Sequence, residues 1–203
     1  MEQGILPKVH PQPEYHPNGV MLDERMKMYK NLAFNTVRNQ YASCQNPPND
    51  IIHVSCSGYM SPSPVQSLVS EKNWKDTTVT HSYHMGCYGA FPAVRMAHGF
   101  MVSSFALQNP KSKIDIFHTE YLSLHLDSNE LSPGNVIDMT LFGDGFIQYS
   151  AYSEESFEEV QENGLKILSI KEQVIPDSGE AMSWDLGPNK FKMYLSKHVH
   201  LFI

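Results

Sequence analysis

The 203-residue sequence has no apolar run approaching the roughly 20 residues that a bilayer-spanning helix needs. Its opening, from Met1 to Pro13, also lacks the basic and apolar regions of a secretory signal. A cytoplasmic location with no membrane span is the expectation. Basic residues are in the minority, 15 against 22 acidic ones, for a formal net charge of −7. Nucleic-acid binding needs a basic stripe to displace counterions from phosphates, and none is present. Cysteines are few: Cys44, Cys56 and Cys87 stand at irregular spacings that make neither a disulfide framework nor a C-x-x-C metal site. Reduced thiols with individual roles are expected. Against these absences, 41% hydrophobic and 18% charged residues are enough to pack one substantial core.

Residues 1–20 contain Pro7, Pro11, Pro13 and Pro17, a composition read as an extended arm rather than a helix. From 22 to 42 the apolar positions Met26, Tyr29, Ala33, Val37 and Tyr41 recur every three or four residues, the period of an amphipathic helix, with Asp23 near its start. A short buried strand is expected at 51–55, a helix at 64–72, a strand at 77–83, a helix at 90–107 and a buried strand at 114–118. A helical stretch near 136–141 follows, and 146–152, 165–174 and 191–195 read as strands. Alternation of strand and helix over the first two-thirds predicts an α/β layered domain with a largely parallel sheet.

Chemistry concentrates at Cys87. It falls where the predicted strand hands over to the predicted helix, with Gly86 before it and Gly89 just after. A helix N-terminus favours thiolate over thiol, which turns a weak thiol into a nucleophile. Flanking glycines permit a tight turn and leave room for an acyl group, and Ala90 and Ala93 keep the first helical turn slim. The competing reading is a small buried hydrophobe, the commonest fate of a free cysteine. Met85 occupies a place where a hydrolase nucleophile elbow would need glycine, which weakens a hydrolase reading. His81, His84 and Cys87 are three residues apart on a strand and so point to opposite faces, which disfavours a metal site.

The run His84-Met85-Gly86-Cys87-Tyr88-Gly89-Ala90-Phe91-Pro92-Ala93-Val94-Arg95-Met96-Ala97 resembles the active-site cysteine segment of the type III polyketide synthases, the chalcone and stilbene synthase-like family. Upstream, Val54-Ser55-Cys56-Ser57-Gly58-Tyr59-Met60-Ser61-Pro62 resembles the strand and loop that line the family's pocket and send a residue, often methionine, across a dimer interface. Downstream, His118-Thr119-Glu120-Tyr121-Leu122-Ser123-Leu124-His125 resembles a strand-end segment facing the pocket, and Leu141-Phe142-Gly143-Asp144-Gly145 resembles a signature whose phenylalanine is a gatekeeper. The motif Ile175-Pro176-Asp177 and the strand around Met193 extend the likeness from about Met21 onward.

The resemblance implies a thiolase-like layered α/β fold, incomplete here. Residues 1–20 would be a proline-rich arm, 21–160 the half carrying the nucleophilic cysteine, and 161–203 the beginning of a second half. Cys87 would accept an acyl group from a CoA thioester or an acyl-carrier thioester, and Cys56, Met60, Glu120, His125, Phe142 and Met193 would contact substrate. Malonyl-CoA would be decarboxylated to extend the acyl group, with no cofactor and no metal. The family's histidine and asparagine fall beyond the point matching Ile203, so a homodimer, or a complex with a chain supplying the remaining half, is the expected partner arrangement. His84 and His125 are the local candidates to stand in for that histidine. The second reading is a noncatalytic half-fold binding or scaffold protein that partners another ketosynthase-like chain.

Overall fold

Ile51, Ile52, His53 and Val54 lie in a strand, β1 (Asp50–Ser55), that is buried at every position. In the computed structural model, which describes residues 5–11, 18–107, 110, 113–160 and 163–202, β1 is the pivot of a four-stranded sheet. Its neighbours are β2 (Thr78–Tyr83) and β3 (Lys113–Glu120), both parallel to it, and the order is β2-β1-β3-β4, with β4 at Gly145–Tyr152. Parallel central strands are covered on both faces, which is why β1 reads as a continuous rather than an alternating buried run.

The described residues form two compact units. One draws on 33–119 and 146–172, the other on the stretches up to 32, 120–145 and from 173 onward. In the first unit the period of two along β1 sorts its side chains between two cores. Ile52 and Val54 join Ile114 and Ile116 of β3 and pack with Ala93, Ala97 and Met101 of helix α4 (Ala90–Ala106). Ile51 points the other way, into a cluster with Val37 of helix α2 (Leu22–Gln40), Tyr41 just past its end, Phe117, and Val65 and Leu68 of helix α3 (Pro64–Glu71). Helix α3 starts on a capping box: the Ser63 hydroxyl accepts from the Gln66 amide and the Gln66 side chain accepts from the Ser63 amide.

The other unit contains helices α1 (Ile5–Val9) and α5 (Pro133–Leu141), the first part of α2, and an antiparallel hairpin of β5 (Met182–Leu186) and β6 (Phe191–Leu195). Helix α1 departs from the extended arm expected for residues 1–20; the third of its five residues is Pro7, inside the first turn, where a missing N–H forfeits no intrahelical bond. Residues 12–17 of that arm lie outside the described residues. Strand β5 was not anticipated, and the strand expected at 165–174 is not formed. Leu165 is 99% exposed, Leu168 89% and Val174 90%, and among the described residues no strand pairs with this stretch. An apolar stretch becomes a strand only when a neighbour takes up its backbone hydrogen bonds. Among the described residues no helix is long and apolar enough to cross a membrane.

Candidate active site

The parallel pairing places the carboxyl ends of β1 and β2 side by side, with Ser55 opposite Tyr83. The chain leaves β2 through His84, whose φ of 56° is left-handed and whose amide donates to the Ser55 carbonyl at 2.9 Å. Gly86 follows at φ 72°, and Gly86–Tyr88 forms a single 3₁₀ turn that runs into α4. Cys87 sits in that turn and is exposed. The buried-hydrophobe reading of this thiol therefore does not describe it. The Gly89 amide closes the turn on the Gly86 carbonyl at 3.1 Å, and the Ala93 amide donates to the Gly89 carbonyl at 3.3 Å.

The two glycines have different reasons. A side chain on Gly86 would meet open space, so its requirement is the positive φ alone. Gly89 is buried, and a Cβ there would stand 2.9 Å from Val54 Cγ1 and 3.4 Å from the Gly86 carbonyl. Gly89→Ala is expected to destabilise by about 1–3 kcal/mol through overpacking and to lift the start of α4 from β1. Gly86→Ala costs the left-handed backbone alone, roughly 1–2 kcal/mol. Thermal unfolding of the two variants checks the ranking, and peptide-resolved alkylation of Cys87 should change more in the Gly89 variant.

The loop leaving β1 is held at the same edge of this unit. Ser55 Oγ donates to the Thr119 carbonyl at 2.9 Å and accepts from the Gly58 amide at 3.3 Å, and Ser57 Oγ lies 3.4 Å from the same Thr119 carbonyl. Cys56 and Met60 of this loop are half-buried. Cys56, Met60 and Cys87 thus belong to one unit and to loops emerging from adjacent strand ends. Glu120, His125, Phe142 and Met193 fall in the other unit.

Within that second unit, Glu120 is the last residue of β3 and is half-buried. His125 is 5% exposed; its Nδ1 accepts from the Phe191 amide at 3.1 Å, and its ring stacks on Phe191 at 4.3 Å between centroids. That nitrogen is accordingly occupied by packing within its own unit. Phe142 is half-buried at the end of α5, and Met193, on β6 opposite Trp184, is half-buried as well. Asp144 of the Gly143-Asp144-Gly145 signature accepts from the Ser123 amide at 3.0 Å and hydroxyl at 2.8 Å, tying that signature to the segment after β3.

Sequence reasoning missed a polar cluster at the end of β2, the strand that leads into the Cys87 turn. His53 is wholly buried; the Tyr83 hydroxyl lies 2.7 Å from its Nδ1 and the Thr119 hydroxyl 2.8 Å from its Nε2. His81 packs beside them, 4.8 Å from the Tyr83 ring, and Tyr59 approaches Tyr83 at 6.1 Å. Burial pushes His53 down to about 3, with the fields of His81 and His118 acting in the same direction, so its ring is neutral near pH 7. The available signal was a histidine inside an otherwise apolar strand, Ile51-Ile52-His53-Val54, in register with His81 on the neighbouring one. No group of three or more His, Cys, Asp or Glu suited to a metal ion exists among the described residues.

With a cysteine at a strand–turn–helix junction on the carboxyl edge of a largely parallel sheet and helices on both faces, the chain has an α/β thiolase-like fold. The structure superposes on the crystal structure of 1,3,6,8-tetrahydroxynaphthalene synthase from Streptomyces coelicolor A3(2), a bacterial type III polyketide synthase, with a TM-score of 0.73 at 23% identity, covering 89% of this chain and 51% of that one. A fungal type III polyketide synthase matches with a TM-score of 0.71 at 19% identity, over 96% of this chain and 53% of that one. In sequence the chain is 25% identical over 167 residues to 1,3,6,8-tetrahydroxynaphthalene synthase of Streptomyces griseus, covering 80% of this chain and 42% of the relative. It is 21% identical over 201 residues to a putative chalcone synthase of Bacillus subtilis, covering 92% of this chain and 54% of the relative. No protein-family model matches the sequence. In sequence and in fold, the chain resembles part of a type III polyketide synthase and spans about half the length of the relatives it matches.

Proposed function

We propose that this chain is the acyl-accepting part of a type III polyketide synthase-like acyltransferase, with Cys87 as the nucleophile. The observation that carries the reading is the exposed thiol on a glycine-bracketed turn between a parallel strand and the helix that follows it. In the proposed reaction the Cys87 thiolate attacks the carbonyl of an acyl-CoA thioester, a new C–S bond forms, the bond to CoA breaks and the CoA thiolate takes up a proton. Malonyl-CoA then loses CO₂, and the resulting enolate attacks the Cys87 thioester carbonyl, forming a C–C bond and releasing the Cys87 thiolate.

The second step develops negative charge on two oxygens, and preorganised donors stabilise such charge by several kcal/mol. In the resemblance those donors are a histidine and an asparagine, and a second polypeptide or a further segment would supply them. Homodimerisation, or pairing with such a chain, belongs to the same proposal. The same proposal gives substrate contacts to Cys56 and Met60, on the loop after β1, and to Glu120, His125, Phe142 and Met193.

Intact mass spectrometry after incubation with acetyl-, hexanoyl- and malonyl-CoA tests the nucleophile. An adduct on the native chain that vanishes in Cys87→Ala is the expected result. An adduct of equal yield in both would assign the acylation elsewhere, and no adduct with any of the three would favour the scaffold reading.

A further inference from the structure

The turn that carries Cys87 is fastened to β1 at both of its ends. Downstream, buried Gly89 lies against Val54. Upstream there are two anchors: the His84 amide on the Ser55 carbonyl, and the Tyr83 hydroxyl on His53 Nδ1. The second anchor continues through the imidazole, because His53 Nε2 meets the Thr119 hydroxyl of β3. One imidazole thereby links the last residue of β2 to the end of β3 across β1, and it does so four residues before the nucleophile.

This arrangement is an expensive way to fill a strand. His53 is flanked by Ile52 and Val54 and is fully buried, a place where an apolar side chain avoids the cost of desolvating two ring nitrogens. A neutral imidazole has one donor and one acceptor nitrogen, matched here by two hydroxyls that can each play either part. A polar network satisfied in this way fixes one geometry where an apolar contact would allow several. The neighbouring titratable groups are His81, which packs against both His53 and Tyr83, and His118, whose Nε2 lies 3.1 Å from the Tyr149 hydroxyl. Burial holds both of these histidines below the ordinary range, so they leave the network uncharged near pH 7.

We infer that Tyr83, His53 and Thr119 form a positioning relay that fixes the Cys87 turn, so that acyl transfer to Cys87 depends on hydroxyl–imidazole–hydroxyl contacts that never touch the substrate. The inference rests on the acyl-transfer reading for its functional consequence and on geometry for the relay itself. The three side chains are positioning residues: the imidazole is fully buried with both nitrogens engaged, and the reacting bonds lie at the Cys87 sulfur.

The test uses the full chain with Tyr83→Phe, Thr119→Val and Thr119→Ser. Tyr83→Phe removes one oxygen atom, Thr119→Val removes the hydroxyl at constant shape, and Thr119→Ser restores it. Two quantities are read: the saturating rate and half-saturation concentration of Cys87 acylation by hexanoyl-CoA, and amide hydrogen exchange across residues 84–89. Displacing a nucleophile by a fraction of an ångström slows its reaction by about 10-fold. The expected result is such a loss in saturating rate for Tyr83→Phe and Thr119→Val with little change in half-saturation, faster exchange across 84–89, and both restored in Thr119→Ser. Unchanged exchange and rate in the first two variants would overturn the relay, as would a Thr119→Ser variant that behaves like Thr119→Val. If acetyl-, hexanoyl- and malonyl-CoA all leave the native chain unmodified while the exchange pattern follows the hydroxyls, the relay stands and the acyl-transfer reading fails.

Discussion

Asp115→Ala is expected to lower the free energy of unfolding by about 3–5 kcal/mol, the range for stripping one partner from a buried charged network. Asp115 is fully buried in β3, and its carboxylate gathers groups from three elements. Tyr41, just past α2, donates its hydroxyl to Oδ2 at 2.8 Å, and from β4 Gln148 donates to Oδ2 at 3.0 Å and Ser150 to Oδ1 at 2.6 Å. Lys113 Nζ lies 3.4 Å from Oδ1 and supplies the compensating charge. Tyr41 is 2% exposed, and burial with the adjacent carboxylate raises its phenol well above the ordinary range, so it stays protonated and donates. Alanine at 115 leaves three donors facing a void, and desolvated groups without partners cost more than the net worth of the bonds they lose. Urea unfolding followed by circular dichroism measures the difference. Tyr41→Phe combined with Asp115→Ala should cost less than the sum of the single changes, because each removes the same bond. A loss below about 1 kcal/mol would show that the network is not a fastening of β4 to β3.

Arg25→Ala is the second large effect, again about 3–5 kcal/mol, and it acts in the other unit. The Arg25 side chain has no exposed surface, yet four of its contacts are to main-chain carbonyls: Val20, Asn18, Leu124 and Leu126. Desolvation pulls the guanidinium down to about 10, opposed by Asp127, so it remains charged at neutral pH. Its planar fork reaches carbonyls on both sides, from the loop before α2 and from the segment after β3, and Gly19 at φ 72° gives it room, since a Cβ there would collide with Nη2. Truncation leaves those carbonyls unsatisfied and a cavity behind. Arg25→Lys recovers only part of the loss, since a single ammonium cannot span acceptors fixed in two segments. Calorimetric unfolding of both variants decides it: equal stability of Lys and wild type would mean that charge alone, not the fork, holds the segment carrying His125.

Local signals carried much of the fold. The three-and-four spacing of Met26, Tyr29, Ala33, Val37 and Tyr41 gave α2 to within two residues at its end, and the helix expected at 64–72 forms as α3 from Pro64 to Glu71. Elements whose evidence lies within a few residues are legible because a helix satisfies its own backbone. The stretch 165–174 shows the opposite case. It is rich in β-branched and other apolar residues, but a strand exists only beside another, and none takes it up among the described residues. Strand β5 was missed although Met182-Ser183-Trp184-Asp185-Leu186 alternates apolar and polar residues; it is only five residues long and is fixed by its register against β6 through the Gly187–Lys190 turn.

The candidate site divides along the same line. Sequence alone determined the Cys87 turn, because glycines on either side of the cysteine and a helix beginning just after it are adjacent in the chain, and it determined the resemblance to type III polyketide synthases, which rests on ordered short motifs. Only the tertiary structure decided which polar residues hold that turn. His53 meets Thr119 across 66 positions and Tyr83 across 30, Asp115 meets Tyr41 across 74, and Arg25 meets Leu124 across 99. A buried polar side chain must find its partner wherever the fold brings one within about 3 Å, and no local pattern encodes that distance.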